Sequence, residues 1–362
     1  SALLLLLSLA SPSLSSDADI IEGSSHFVMA SSLPAGGSKT FHFATPMLLY
    51  VSRADANQKY DTNIRFIDEK SGVKSNAWAA AQSTINGGVK KPVFPEARTE
   101  ITIHNNNEHV FDDTLLPAIF YFVDPTTGSQ IFEASSSIVR RESGSNGTIT
   151  VMSAGMLIAL TDFKFNEGSS VRLSAGGTFE VESDDNELIT FDNAVLDANS
   201  WANVPLPLLT LTSSEGEAFA VSVSTKQAER SQAVVGSRTI VMSPGYPFDH
   251  IPSSDVKYSF KLVEEADIRV DYLGYLRLST STLEVVGSGP DGSQTYIQTY
   301  NVKTWKERVL NATFEAETVQ VNIVHKMGTP AGVLVRIYTS SGVANLLSLT
   351  VLLALLVFTT GF

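Results

Sequence analysis

The sequence predicts an all-β protein of tandem antiparallel β-sandwiches, with an apolar helix at each end. Three observations carry the β prediction. From residue 24 to 340 the chain alternates apolar and polar residues, or runs apolar, over strand lengths, as in Thr40-Phe-His-Phe43, Glu100-Ile-Thr-Ile103 and Val319-Gln-Val-Asn-Ile323. Turn-forming clusters separate these runs, among them Asp124-Pro-Thr-Thr-Gly128, Ser213-Ser-Glu-Gly216 and Gly287-Ser-Gly-Pro-Asp-Gly292. Inside the body only Asn76-Ala-Trp-Ala-Ala-Ala-Gln82 reads as a helix.

The chain opens on Leu3 to Leu9, followed by small residues from Ala10 to Ser16. This reads as a partial signal peptide over 1–16. The alternative, a core strand, fits poorly because five consecutive leucines carry no β-branched residue.

The first sandwich is expected over 24–140, with strands at Thr40–Phe43, Leu48–Val51, Asn63–Ile67, Glu100–Ile103 and Ala118–Val123. Here His104 and His109 flank Asn105-Asn-Asn107, with Glu108, Asp112 and Asp113 close by. A metal needs several ligands converging on one point. A solvated hairpin tip has the same composition without convergence, and that is the expectation for this segment.

The second sandwich is expected over 146–228, after a Ser143-Gly-Ser-Asn-Gly147 linker. Asn146-Gly-Thr148 is a glycosylation triplet placed in that linker. The acid cluster Glu182-Ser-Asp-Asp-Asn-Glu187 lacks the glycine of a calcium loop and reads as a solvated turn, with a weak extracellular calcium site as the alternative.

The third sandwich is expected over 236–340, with strands at Val256–Leu262, Ile268–Val270, Leu283–Val286, Val319–Ile323 and Val333–Tyr338. Asn311-Ala-Thr313 is a second glycosylation triplet. Aromatics crowd this segment: Tyr246, Phe248, Tyr272, Tyr275, Tyr296, Tyr300 and Trp305, with His250 among them. Most are expected in the core at alternate strand positions. Tyr246 and Phe248 lie in a proline-flanked loop and are the candidate ligand contacts.

Residues 343–362 end the chain in an almost wholly apolar, uncharged run, preceded by Ser340, Ser341 and Gly342. Small residues before a terminal apolar tail suit a GPI-attachment signal, with one of those three as the lipid-bearing residue. A single membrane span is the competitor, although about 20 apolar residues are needed and the run from Val343 to Phe358 is shorter. A buried helix is a third reading.

A faint repeat runs through the body. Phe27-Val-Met-Ala-Ser31, Thr150-Val-Met-Ser-Ala-Gly155 and Ile240-Val-Met-Ser-Pro-Gly245 share one pattern. Ile101-Thr-Ile-His104 precedes Ala118–Val123 much as Val321-Asn-Ile-Val324 precedes Val333–Tyr338.

Composition narrows the function. The 362 residues carry a formal net charge of -13, and no basic patch argues for nucleic acid. There is no cysteine, which excludes disulfides, thiol catalysis and thiolate–zinc sites. The chain contains no G-x-S-x-G, no H-E-x-x-H and no phosphate-cradling glycine loop followed by lysine. No residue is assigned as catalytic, cofactor-binding or metal-binding.

The third segment resembles a CUB domain. Ser243-Pro-Gly-Tyr-Pro247 is similar to the opening of CUB domains. Lys257-Tyr-Ser-Phe260, Ile268-Arg-Val270 and Leu283-Glu-Val-Val-Gly287 stand where CUB strands stand. The whole layout is similar to the nematode CUB-like secreted proteins, many of which are associated with responses to pathogens or stress. The CUB cysteines and acidic turn are missing here, so the resemblance by itself does not imply the family's calcium-dependent partner capture.

The expectation is therefore an extracellular, GPI-tethered binding or surface-coat protein, glycosylated at Asn146 and Asn311 and meeting a protein or glycan partner. The rival readings are a secreted β-sandwich hydrolase, with acids and histidines meeting near His104, His109 and Asp112, and a single-span adhesin.

Overall fold

The computed structural model describes residues 20–53, 58–67, 74–85, 88–109, 118–135, 137–144, 148–177, 186–228, 232–243, 254–275, 282–301, 309–325 and 332–340. The protein is almost entirely β, and its strand pairings are mainly antiparallel. Both apolar ends, 1–16 and 343–362, lie outside the described residues, as do Asn146, Tyr246, Phe248, Ser341 and Gly342.

In the first unit the elements are β1 (Ile20–Ile21), β2 (Ser25–Met29), β3 (Gly37–Ser52), α1 (Gln58–Thr62), β4 (Ile64–Ile67), β5 (Lys74–Asn76), α2 (Ala77–Ala81), β6 (Arg98–Asn105) and β7 (Ile119–Val123). The sheet order is β2-β7-β3-β6-β4-β5, with β1 added to β3 in parallel. β3 changes register between His42 and Met47, pairing with β6 up to Met47 and with β7 from Leu48 on. Such an irregularity bends a strand, so one sheet supplies both faces of a sandwich. Phe41, Phe43, Leu49, Phe66, Ile103, Phe120 and Phe122 fill the space between. α2 forms where the sequence predicts it. The Asn76 side chain accepts from the Ala79 N–H at 2.8 Å, capping the first turn.

The second unit contains β8 (Gln130–Glu133), β9 (Ser137–Arg141), β10 (Ile149–Met152), β11 (Ile158–Phe165), β12 (Val171–Ala175), β13 (Glu187–Phe191), β14 (Trp201–Val204), β15 (Leu208–Ser213) and β16 (Phe219–Ser224). A five-stranded sheet, β13-β12-β15-β10-β8, faces a four-stranded one, β14-β11-β16-β9. The expected division between residues 140 and 146 falls inside this unit. β8 pairs in parallel with β10, and β9 pairs with β16, so 130–141 builds the edges of both second-unit sheets. The Ser/Gly stretch read as an interdomain linker instead joins two strands of one sandwich.

The third unit contains β17 (Gln232–Ala233), β18 (Arg238–Met242), β19 (Ser254–Tyr275), β20 (Thr282–Ser288), β21 (Gln294–Asn301), β22 (Val309–His325) and β23 (Gly332–Ser340). Its order, β18-β23-β19-β22-β20-β21 with β17 parallel to β19, reproduces the first unit strand for strand. β19 likewise shifts register midway, between Lys261 and Ala266. Phe27-Val-Met29 and Ile240-Val-Met242 occupy the equivalent strands β2 and β18. Thr150-Val-Met152 lies in β10, which pairs with β15 and β8, and the second unit has a different topology.

The units are packed together. Tyr50, Ile119, Tyr121 and Val123 of the first share an apolar cluster with Ile131, Met152 and Leu208 of the second. Ile240, Met242 and Leu334 of the third enter the second unit's core. By register, Met29 faces Ile119 as Met242 faces Leu334. Both outer units thus present the same sheet face to the central one.

Candidate functional site

Among the residues singled out in the sequence, Asn311 is exposed on β22, opposite Asp271 of β19, and Thr313 beside it is exposed too. Alternation on the strand turns both outward. Ser340 is exposed at the end of β23. Tyr272 is wholly buried, and Tyr296 lies flat on Phe314 with ring centroids 4.1 Å apart, so these two aromatics pack rather than display.

The asparagine run departs from its expectation. Asn105 and Asn107 are buried, and only Asn106 is exposed. Asn107 Nδ2 donates to the Tyr60 carbonyl at 3.1 Å and to Asn105 Oδ1 at 2.8 Å, while Asn63 Nδ2 donates to Asn107 Oδ1 at 3.1 Å. The amides thus supply hydrogen bonds around α1 that a buried loop requires. His104 sits on β6 and His109 is exposed beyond it. Among the described residues no group of three or more histidines and acids could hold a metal ion.

A shallow groove of about 390 Å³ opens on the first unit, lined by Phe94, Glu96, Arg98, Glu100, Thr102 and His104 among others. β6 forms its floor because its alternation sends Ile101 and Ile103 into the core and leaves Glu100, Thr102 and His104 on the outer face. The Arg98 guanidinium lies 4.0 Å from the Phe94 ring centroid, and His42 Nδ1 stands 3.7 Å from Glu100 Oε2. Thr40 and Thr102 hydroxyls meet at 2.9 Å. The groove offers hydroxyl, carboxylate, imidazole and guanidinium groups side by side, suited to hydrogen-bonding a polar ligand laid along a strand. His104 was legible as a candidate, whereas Phe94 and Glu96 come from the loop before β6 and carried no pattern.

The strongest electrostatics lie at the joints between units. Lys90, with its side chain fully buried, reaches Glu133 Oε2 at 2.5 Å and donates to the Ala81 carbonyl at 2.9 Å. Ser52 donates to Glu133 Oε1 at 2.5 Å and accepts from the Ala154 N–H at 2.9 Å. Burial pushes the Glu133 carboxyl upward, against the pull of Lys90, Ser52 and Arg53. At the other joint Asp197 is fully buried and accepts from the Asp192 and Asn193 N–H groups, both at 2.9 Å, and from Ser200 at 3.0 Å. Arg238 of the third unit stands 3.2 Å from it. Burial still raises the Asp197 carboxyl above its ordinary range, although these partners favour the charge. Arg336 completes the joint, donating to the Leu188 and Glu187 carbonyls at 2.5 and 2.7 Å.

No family model matches the chain. No curated protein matches it either. Among solved structures, the CUB1-EGF-CUB2 domains of rat MASP-1 are similar at 10% identity over 57% of this chain and 99% of that one, with a TM-score of 0.23. The corresponding human MASP-1/3 domains match at 12% identity over 57% and 94%, with a TM-score of 0.24. The PBSX exported protein XepA matches at 9% identity over 57% and 82%, with a TM-score of 0.19. Scores this low do not establish a shared fold. No helix among the described residues is long and apolar enough to cross a membrane.

Proposed function

We propose that this is an extracellular, GPI-tethered binding or surface-coat protein, not an enzyme, that presents its first unit to a protein or glycan partner. The observation that carries the reading is the order of the stack. The first unit packs on the second and the second on the third, while Ser340 ends the last strand of the third. A lipid attached at Ser340, Ser341 or Gly342 would put the third unit next to the membrane and the groove of the first unit two units away from it. Glycans on exposed Asn311, and on Asn146, belong to the same compartment. A pathogen- or stress-response setting is what the resemblance of the whole layout to the nematode CUB-like secreted proteins implies.

The experiment is treatment of intact cells with a phospholipase that cleaves GPI anchors. Release of the protein into the medium is expected, and retention on the cells defeats the anchor. For the binding face, Arg98→Ala with His104→Ala is expected to abolish binding to glycan or protein arrays while the chain keeps its β circular-dichroism spectrum and a cooperative melt, since both side chains are half-buried on the outer face and neither belongs to the core.

A further inference from the structure

We propose that Val195, Leu196, Val234 and Val263 form a membrane-contact patch that seats the stack on an uncharged lipid surface, an inference that rests on the tether proposed above. Among the described residues eight large aliphatic side chains are exposed, and these four gather where β23 ends. Thr339, next to last in that strand, donates its N–H to the Ser237 carbonyl at 3.1 Å, and its carbonyl accepts the Gly236 N–H at 3.0 Å. Its hydroxyl reaches the Val234 carbonyl at 3.3 Å. Leu196 covers Gly236, where a Cβ would fall 2.8 Å from Leu196 Cδ2. β17 pairs Ala233 with Leu262 of β19, and Val234 and Val263 are the next residues along these two parallel segments. Ser340 pairs with Asp267, further along the same β19.

Single exposed aliphatics are ordinary, but a cluster of them marks a surface that is covered in use. Val195 is 75% exposed, Val263 64%, Val234 46% and Leu196 44%. The turn that carries Val195 and Leu196 is firmly held. Asn193 Oδ1 accepts the Leu196 N–H at 3.1 Å, and buried Asp197 accepts the Asp192 and Asn193 N–H groups. Two observations name lipid as the occupant. The almost wholly apolar, uncharged run 343–362 begins three positions after Ser340, about 10 Å of extended chain. A lipid on Ser340, Ser341 or Gly342 would act at the same place, so the patch lies beside the point of attachment. The rim is acidic, with Glu264 and Glu265 exposed next to Val263 and Asp192 exposed at the start of the turn. Acids are repelled by an anionic leaflet and tolerated by a neutral one, so the lipid is zwitterionic. A second copy of the chain on this patch would set the same acids against one another across a two-fold axis.

The test uses the absence of cysteine, which lets one introduced thiol carry a label at a chosen site. Val195→Cys and Val234→Cys, each in the full chain, receive an environment-sensitive NBD fluorophore. Ile85→Cys, also exposed but in the first unit, is the control. Each protein is taken from its native membrane into phosphatidylcholine vesicles containing a nitroxide-bearing phosphatidylcholine. The labels at 195 and 234 are expected to lose about half or more of their fluorescence to the nitroxide, since interfacial side chains sit roughly 5–10 Å into the headgroup–acyl boundary, while the label at 85 loses none. Equal quenching at all three sites overturns the proposal. So does a blue shift at 195 and 234 without quenching, which would mean that protein covers the patch. Addition of the anchor-cleaving phospholipase separates the two readings. Quenched labels on a protein that the enzyme does not release uphold the patch and defeat the anchor; release of a protein whose labels were never quenched does the reverse. Failure to float with the vesicles at all defeats both.

Discussion

Asp61 is fully buried in α1, and among the described residues neither carboxyl oxygen has a hydrogen-bond partner. Burial raises its pKa from the ordinary 3.8 to about 7, against the weaker pull of Arg53. The folded protein therefore keeps a proton that the unfolded chain releases. Stability from this group is greatest below pH 3.8 and falls as pH rises toward about 7, where the folded form also ionises. Asp61→Asn is expected to remove that slope, so melting curves from pH 4 to 8 should show the variant gaining on the wild type as pH rises. Asp197 is the opposite kind of buried acid, since every partner it has favours its charge. Asp197→Ala strips two backbone N–H groups and leaves Arg238 without one of its carboxylates. A loss of about 3–5 kcal/mol is expected in denaturant unfolding, the scale of a broken buried pair. Neither acid stood out in the sequence, because a lone aspartate before Thr62 or beside Ala198 reads as a turn or surface residue until its surroundings are known.

At the scale of the element, the long strands explain how one sheet makes a sandwich. β19 and β3 each shift register once and serve two partners. Gly287 in β20 shows how closely the layers approach. A Cβ there would fall 2.6 Å from the Phe314 ring, and Tyr296, its cross-strand partner, stacks on that same ring. The absent side chain makes room for the aromatic pair. Gly287→Ala is expected to lose about 1–3 kcal/mol, the usual cost of overpacking, read as a lower denaturant midpoint. The turn at Asp124-Pro-Thr-Thr-Gly128 was legible because each residue has its own local reason. Asp124 caps the Thr126 N–H at 2.8 Å, and Gly128 takes the left-handed φ of 64°. α1 was not legible: five residues with one aspartate and one lysine carry no helical period.

Across the whole molecule, the two outer units meet the centre through equivalent faces of different chemistry. The first brings Tyr50, Tyr121 and Val123, and the third brings Asp271, Arg336 and Tyr338 at the corresponding registers. On these strands the first joint is apolar, with the Lys90–Glu133 pair beside it, and the second adds arginine donors to backbone carbonyls to the apolar contacts of Ile240, Met242 and Leu334. With both joints buried, calorimetry should record one unfolding transition for the wild type. Arg336→Met removes two charge-assisted hydrogen bonds to Glu187 and Leu188, worth about 1.5–3 kcal/mol each. The third unit is then expected to melt apart from the other two, as a second, lower transition; a single unshifted peak would show that the joint does not couple them.

Local pattern alone determined that this chain is all-β, where most strands and turns run, that α2 exists, and that the motifs at Phe27 and Ile240 begin related units. Those features depend on alternation, turn chemistry and capping within a few residues, which a sequence displays directly. Only the tertiary structure decided that 130–141 belongs to the second unit, that Asn105 and Asn107 are buried, and that Lys90 meets Glu133 while Arg336 meets Leu188. Each of these depends on which edge pairs with which and which face is covered. Partners 43 and 148 residues apart leave no mark on one another's local pattern.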